Sequence, residues 1–114
     1  MPIPPALKAS VDHELAAYCE KKIPERVKDQ LRLAHAWDGN KVTLIEQRPR
    51  WNDSSAWLDR PIAQFRYHPT SDDWTIYWRD QHQRWHIYKE HPGSRAFFRL
   101  LAEVDQDPTH IFWG

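Results

Sequence analysis

Arginine, tyrosine and histidine recur at strand-like spacing in the second half of the chain, as Arg66, His68, Tyr77, Arg79, Arg84, His86 and Tyr88. Side chains two residues apart on a strand share one face, so neighbouring strands would gather these groups on a single surface. Guanidinium groups set among aromatic rings can stack on bases or pair with phosphates and carboxylates. The first chemistry implied is therefore binding, through Arg66, Tyr77, Arg79, Arg84, His86 and Tyr88. Arg48 and Arg50 extend the patch, and Trp51 and Trp57 edge it. The alternative is a metal-independent ribonuclease or related phosphodiesterase. There His68 and His86 would act as acid and base, while Arg66 or Arg79 steadies the charge that develops on phosphorus. No chain of nucleophile, base and orienting group is visible, so binding is the preferred reading over an enzyme.

The elements that must position these groups follow from periodicity. Residues 62–68, 74–79 and 84–89 alternate as three strands of a meander, joined by turns at 69–72 and 80–83. One face takes Ala63, Phe65, Tyr67, Trp74, Ile76, Trp78, Trp85 and Ile87 and must be core. The other takes Gln64, Arg66, His68, Thr75, Tyr77, Arg79, Arg84, His86 and Tyr88. With turns of that length Tyr77 lies opposite His86 and Gln64, and Thr75 lies between Arg66 and Tyr88. Arg79 then faces Arg84, a like-charge pair that must splay or share an anion.

Upstream, residues 4–23 read as an amphipathic helix with a stripe of Leu7, Val11, Leu15, Tyr18 and Cys19. Pro5 suits the first turn and Pro24 ends the helix. A short helical turn or irregular link over 25–29 comes next. Residues 31–45 alternate around Gly39-Asn40 as a hairpin that sets Trp37 opposite Val42 and His35 opposite Leu44. Residues 49–61 are the least regular stretch and read as a long loop. Ser94 is placed to cap a last helix with the stripe Phe97, Leu100, Leu101 and Val104, which ends within 105–108. The closing Ile111, Phe112 and Trp113 are too apolar to hang free. The fold class is α+β: N-terminal helix, β-hairpin, three-stranded antiparallel meander and C-terminal helix, with both helices packed on one sheet face.

The chain has 114 residues, one domain's worth, with sixteen basic and sixteen acidic residues and a net charge of zero. Charge alone therefore selects neither nucleic acid nor membrane as partner. No run approaches the roughly 18 apolar residues of a membrane helix, and the opening MPIPPALK lacks the apolar core of a secretory signal, which points to the cytoplasm. The single cysteine, Cys19, excludes an internal disulfide and sits on the apolar stripe as a packed thiol. His82, His86 and His91, with Asp72 and Asp73 nearby, offer donor types for a metal. A turn and a strand intervene, however, so neither a metal nor another cofactor is expected. Trp37, Trp74, Trp78 and Trp85 belong to the core. Trp51, Trp57 and Trp113 could line a groove or a homodimer interface, although docking within the chain is the ordinary fate of such rings. The expected partner is a protein or single-stranded RNA.

Four segments carry a resemblance: VTLIEQRPRW at 42–51, PIAQFRY at 61–67, WTIYWR at 74–79 and DPTHIFWG at 107–114. In that order, and over nearly the whole chain, the sequence resembles a bacterial family known only as a domain of unknown function. The terminal Phe-Trp-Gly is its most distinctive mark. The resemblance implies a stand-alone bacterial protein of about this size and implies no activity, so function has to be argued from the site.

Overall fold

The chain reverses between Asp38 and Lys41, which pair across Gly39 and Asn40. Gly39 has φ +60° and Asn40 has no positive φ, the pattern of a two-residue hairpin turn with glycine in its first central position. The Asn40 side chain fastens the N-terminal segment: its Oδ1 accepts from the Ile3 N–H and its Nδ2 donates to the Met1 carbonyl, each at 2.7 Å. The computed structural model describes residues 1–114, the Ser54 side chain excepted. Its elements are α1 (Pro5–Lys22), a 3-10 turn (Glu25–Val27), β1 (Arg32–Asp38), β2 (Lys41–Arg50), β3 (Asp53–His68), β4 (Asp73–Arg79), β5 (Trp85–Ile87) and α2 (Phe97–Gln106). The strands form one antiparallel sheet in the order β1-β2-β3-β4-β5.

Register decides which side chains are core. Val42 lies opposite Phe65, which lies opposite Ile76; Leu44, Ala63 and Trp78 form the next row, and Tyr67 lies opposite Trp74. Except for Trp78, these side chains share one buried cluster with Val11 and Leu15 of α1 and with Phe97, Leu100, Leu101 and Val104 of α2, while Trp78, Leu7, Tyr18 and Cys19 pack at its edge. The Phe97 ring meets Phe65 at 4.9 Å and Trp74 at 5.0 Å, edge on. From α1, Asp12 Oδ1 accepts from Trp37 Nε1 at 2.7 Å and lies 2.9 Å from His35 Nε2. The Trp37 bond, followed by the contact with His35, holds the Asp12 carboxyl below its usual pKa.

Three expectations are corrected. Residues 49–61 are not a loop: β2 runs on to Arg50, β3 starts at Asp53, and the two pair as far as Arg50 with Asp53 around a turn at Trp51 and Asn52. Pro49 and Pro61 are tolerated because β1 stops pairing with β2 at Gln47 and β4 stops pairing with β3 at Ala63. Each proline thus lies where its strand has no outer neighbour awaiting an N–H. Second, β5 is slipped by one residue. The turn after β4 holds residues 80–84, so Arg79 pairs with Trp85, Trp78 with His86 and Tyr77 with Ile87. A one-residue slip exchanges the faces of a whole strand, and accordingly Tyr88 is buried while Ile87 is 46% exposed. Trp85 leaves the core face with it. Third, Ser94 does not cap α2. Ala96 holds the cap position without a side-chain bond, and Ser94 Oγ accepts from the Ala96 N–H at 3.0 Å, one turn earlier.

The backbone of Ser94 continues the outer edge of the sheet instead. Trp74 N donates to its carbonyl at 2.8 Å, and its N–H returns to the Trp74 carbonyl at 3.1 Å. Gly93 makes this approach achievable: at φ +92°, a Cβ there would lie 2.4 Å from the Trp74 carbonyl oxygen. Gly93→Ala is expected to cost about 2–3 kcal/mol through backbone strain and clash. By thermal denaturation the melting temperature should fall by roughly 8 °C or more. Gly39→Ala has nothing within 4 Å of the added carbon, so it should fall less, through φ alone.

Candidate functional site

The second sheet face carries the residues for which binding was expected, in a different grouping. Its rows run Asp38–Lys41–Arg66–Thr75, then Ala36–Thr43–Gln64–Tyr77–Ile87, then Ala34–Ile45–Pro61, then Arg32–Gln47–Asp59. Every helix contact described above falls on the other side. The face is knitted together by its own polar groups. Gln64 is 8% exposed; its Nε2 donates to Thr43 Oγ1 at 3.1 Å and its Oε1 accepts from Arg66 Nε at 2.8 Å. That bond sets the Arg66 guanidinium over the Tyr77 ring, 3.7 Å from its centroid. Stacking and one fixed N–H together pre-orient the group and leave its outer N–H bonds free.

A second stack lies three rows away, where the Arg32 guanidinium sits 3.4 Å above the centre of the Trp57 ring. Arg32 was missed in the sequence because residues 49–61 were read as a loop. Read as a strand, Trp57 falls on the same face as Asp59 and so beside Arg32. Two acidic groups of this face are occupied within the chain: Asp59 accepts from Gln47 at 2.9 Å and Asp73 from Ser71 at 2.7 Å, while Asp38 lies at the far end of the Arg66 row, beyond Lys41. Neither Arg66 nor Arg32 has a carboxylate partner among the described residues. Between the stacks run Ala34, Ala36, Thr43, Ile45 and Pro61, half-buried or exposed.

The remaining candidates disperse. Arg79 lies near this face, 5.7 Å from the Trp85 ring, and its Nε is buried without a partner among the described residues. Arg84 belongs to the turn, where its N–H donates to Asp80 Oδ1 at 3.0 Å. Its separation from the Arg79 position removes the expected like-charge pair. Tyr88 is structural: 1% exposed, it packs on Phe112 at 5.0 Å and donates to Glu103 at 2.8 Å. Burial and the Glu103 carboxylate both hold its hydroxyl above its usual pKa. Arg50 and Trp51 stand at the tip of the β2–β3 hairpin, Trp51 at 94% exposure, so that ring does not dock on its own chain as expected. Trp113 does dock: its Nε1 donates to the Val104 carbonyl at 2.9 Å.

The acid–base pair of the ribonuclease reading is not assembled. His68, bonded to Thr75 Oγ1 at 2.8 Å, lies on the Arg66 face. His86 lies on the opposite face, stacked on Trp78 at 4.7 Å. Their pairing partners on β4, Asp73 and Trp78, are five residues apart, about 17 Å along the strand. One scissile phosphate cannot sit between them. His86 instead contacts Asp80 Oδ2 at 2.6 Å. Hydrogen bonds to His86 and from the Arg84 and His82 N–H groups hold the Asp80 carboxyl at about 2. Cys19 is half-buried, and desolvation raises its thiol to about 11, away from the range of a nucleophile. Among the described residues no three His, Cys, Asp or Glu side chains converge as metal donors, and no helix is long and apolar enough to cross a membrane.

Fold and face together define an α+β protein built on a sequential five-stranded antiparallel sheet, with one polar face set with stacked arginines. The chain belongs to the family described as domain of unknown function (DUF3024), whose model matches residues 3–114. No curated protein and no solved structure matches it. The terminal DPTHIFWG, the family-like mark in the sequence, has a physical role here. Asp107 ends α2 in the left-handed conformation at φ +46°, and its buried carboxylate accepts from the Phe112 and Trp113 N–H groups at 3.1 and 2.8 Å.

The Asp80 turn gives a prediction with a definite sign. Its folded pKa is depressed, so its stabilising effect is present above the ordinary value near 3.8 and is lost as pH falls toward about 2. The amide shifts of His82 and Arg84, followed by NMR, should titrate with a midpoint near pH 2. In His86→Ala that midpoint should move up toward the ordinary carboxylate range, because the largest stabilising contact is gone.

Proposed function

We propose that this chain is a protein-binding module whose open sheet face receives an extended, acidic segment of a partner protein. The observation that carries the reading is the pair of guanidinium groups, Arg66 on Tyr77 and Arg32 on Trp57, stacked at 3.7 and 3.4 Å with no carboxylate partner among the described residues. A planar guanidinium held this way meets a carboxylate through two parallel bonds and loses little side-chain entropy in doing so. The strip between the stacks, with Ala36, Ile45 and Pro61, suits apolar side chains of the partner. Apolar centre, arginine and aromatic anchors, and polar margin are the ordinary anatomy of a protein interface. A phosphodiester strand would leave that strip without use, and a net charge of zero provides no general attraction for it.

The test is affinity capture from a cell lysate with wild type, Arg66→Ala and Arg32→Ala, followed by titration of the captured protein. A partner whose affinity falls about tenfold or more with each variant, the ordinary loss at an arginine anchor, supports the reading, provided melting temperatures are unchanged. Equal capture by all three chains would overturn it. So would labelled single-stranded RNA that binds at low salt and is released steeply as salt rises, in a manner that depends on Arg66.

A further inference from the structure

The β2–β3 hairpin outruns the sheet. β1 covers β2 no further than Gln47, and β4 covers β3 only from Ala63 onward, so the ribbon beyond them projects as an arm from a molecule measuring 46 × 29 × 23 Å. A two-stranded ribbon has no core of its own, yet this one carries Trp51 at 94% and Leu58 at 47% exposure. The outer edge of β3 over residues 57–61 has no strand beside it among the described residues. Where the arm joins the body lies a notch of about 490 Å³ lined by residues 59–62 of β3 with Arg79, Asp80, Gln83, Ile111 and Phe112. Its wall is mixed, more polar than apolar, and it runs along the free β3 edge. Arg79, whose Nε is buried without a partner among the described residues, is one of its lining residues.

Trp51 does not sit in the notch of its own chain: its ring stands 94% exposed at the arm's tip. A second copy, running antiparallel along the free edge, brings its tip to that place. A two-fold axis normal to the sheet matches faces only if paired residue numbers add to an even sum, since parity sets the face. Pairing about Asp59 would set two carboxylates face to face; pairing about Leu58 sets two exposed leucines together. β3 bulges between Asp53 and Trp57, which pair with the adjacent residues Arg50 and Pro49. The tip therefore lies one step past Trp57, and in the Leu58 register it arrives beside Pro61 and Ile62 of the other chain. Pro61, which has no N–H, ends the ladder alongside the notch.

We propose that a second copy of this chain docks here, with the β3 edges paired about Leu58 and each Trp51 ring seated in the other's notch against the Arg79 guanidinium. The surface is self-complementary, as closed two-fold symmetry requires. Each ring contributes about 150–250 Å² and covers a comparable area of notch wall. With the leucine pair, the interface reaches the roughly 1,000 Å² of a weak but specific contact. The dimer is consequently concentration-dependent.

Sedimentation velocity over a range of concentrations tests this. Wild type is expected to pass from monomer to dimer, and Trp51→Ala and Leu58→Asp to remain monomeric; Trp51→Ala should keep its melting temperature, because the ring is 94% exposed, whereas Leu58→Asp should lower it somewhat, because Leu58 is half-covered beside Glu46, Arg48 and Arg60 of its own chain. A second measurement reads the register: in a Cys19→Ser background, Leu58→Cys treated with copper phenanthroline should cross-link to a covalent dimer, and Asp53→Cys should not. A wild type that stays monomeric up to its solubility limit would overturn the proposal, as would a dimer indifferent to both arm substitutions.

Discussion

Everything in this molecule closes on Trp74. Its ring is fully buried and meets Trp37 from β1 at 6.3 Å, Tyr67 from β3 at 5.1 Å and Phe97 from α2 at 5.0 Å. Its backbone carries the exchange with Ser94 that Gly93 makes room for. Strands β1 and β3, the second helix and the crossing segment before it are thus ordered around one indole. Truncating a buried ring of this size costs about 3–5 kcal/mol, a large part of the roughly 5–15 kcal/mol that holds a domain together. The ring's Nε1 has no partner among the described residues, so the site is retained for packing in spite of an unmade bond worth about 1–3 kcal/mol.

Much of the fold was legible because alternation and turn chemistry agreed. Gly39 announced the first hairpin and its register, and Val42, Leu44, Phe65, Tyr67, Trp74 and Ile76 were assignable to the core by period alone. Two failures have different causes, the first being that a turn's length is not written in the strand pattern. The Asp80 carboxylate gathers the N–H groups of His82 and Arg84, and Gln83 takes φ +66°. One more residue is thereby drawn into the turn, and β5 changes faces. At 49–61 the prolines and the Asp-Ser-Ser run hid a strand, because sequence cannot show that no neighbouring strand needed the missing N–H. The candidate site was legible in kind and misassigned in part. Arg66 and Tyr77 were found together, His86 and Tyr88 were placed on the wrong face, and Arg32 was invisible without the long hairpin.

Buried polar groups explain why the open face keeps its shape without a helix to cover it. Gln64 spends both ends of its amide within the sheet, and the ring of Tyr77 is roofed by a cation rather than by an aliphatic neighbour. The same economy appears at the arm's base, where the Glu46 carboxylate, 7% exposed, is flanked by Arg48 at 3.0 Å and Arg60 at 3.7 Å. Burying one partner of such a cluster makes the others structural, so arginine content alone overstates how many cations are free for a ligand.

The strand order has a consequence for how the chain acquires this structure. Every strand pairs with its successor in sequence, so the sheet can zip from one turn to the next with short loop closures throughout, the topology that favours rapid folding. The most distant partners are those between the helices, where Tyr18 and Lys22 each reach Asp105 at 2.8 Å across most of the chain's length. Those contacts are exposed ion and hydrogen bonds at the rim rather than buried ones. A nascent chain can therefore complete its meander first and enrol the N-terminal helix afterwards, seating Val11 and Leu15 in a core whose other walls already stand.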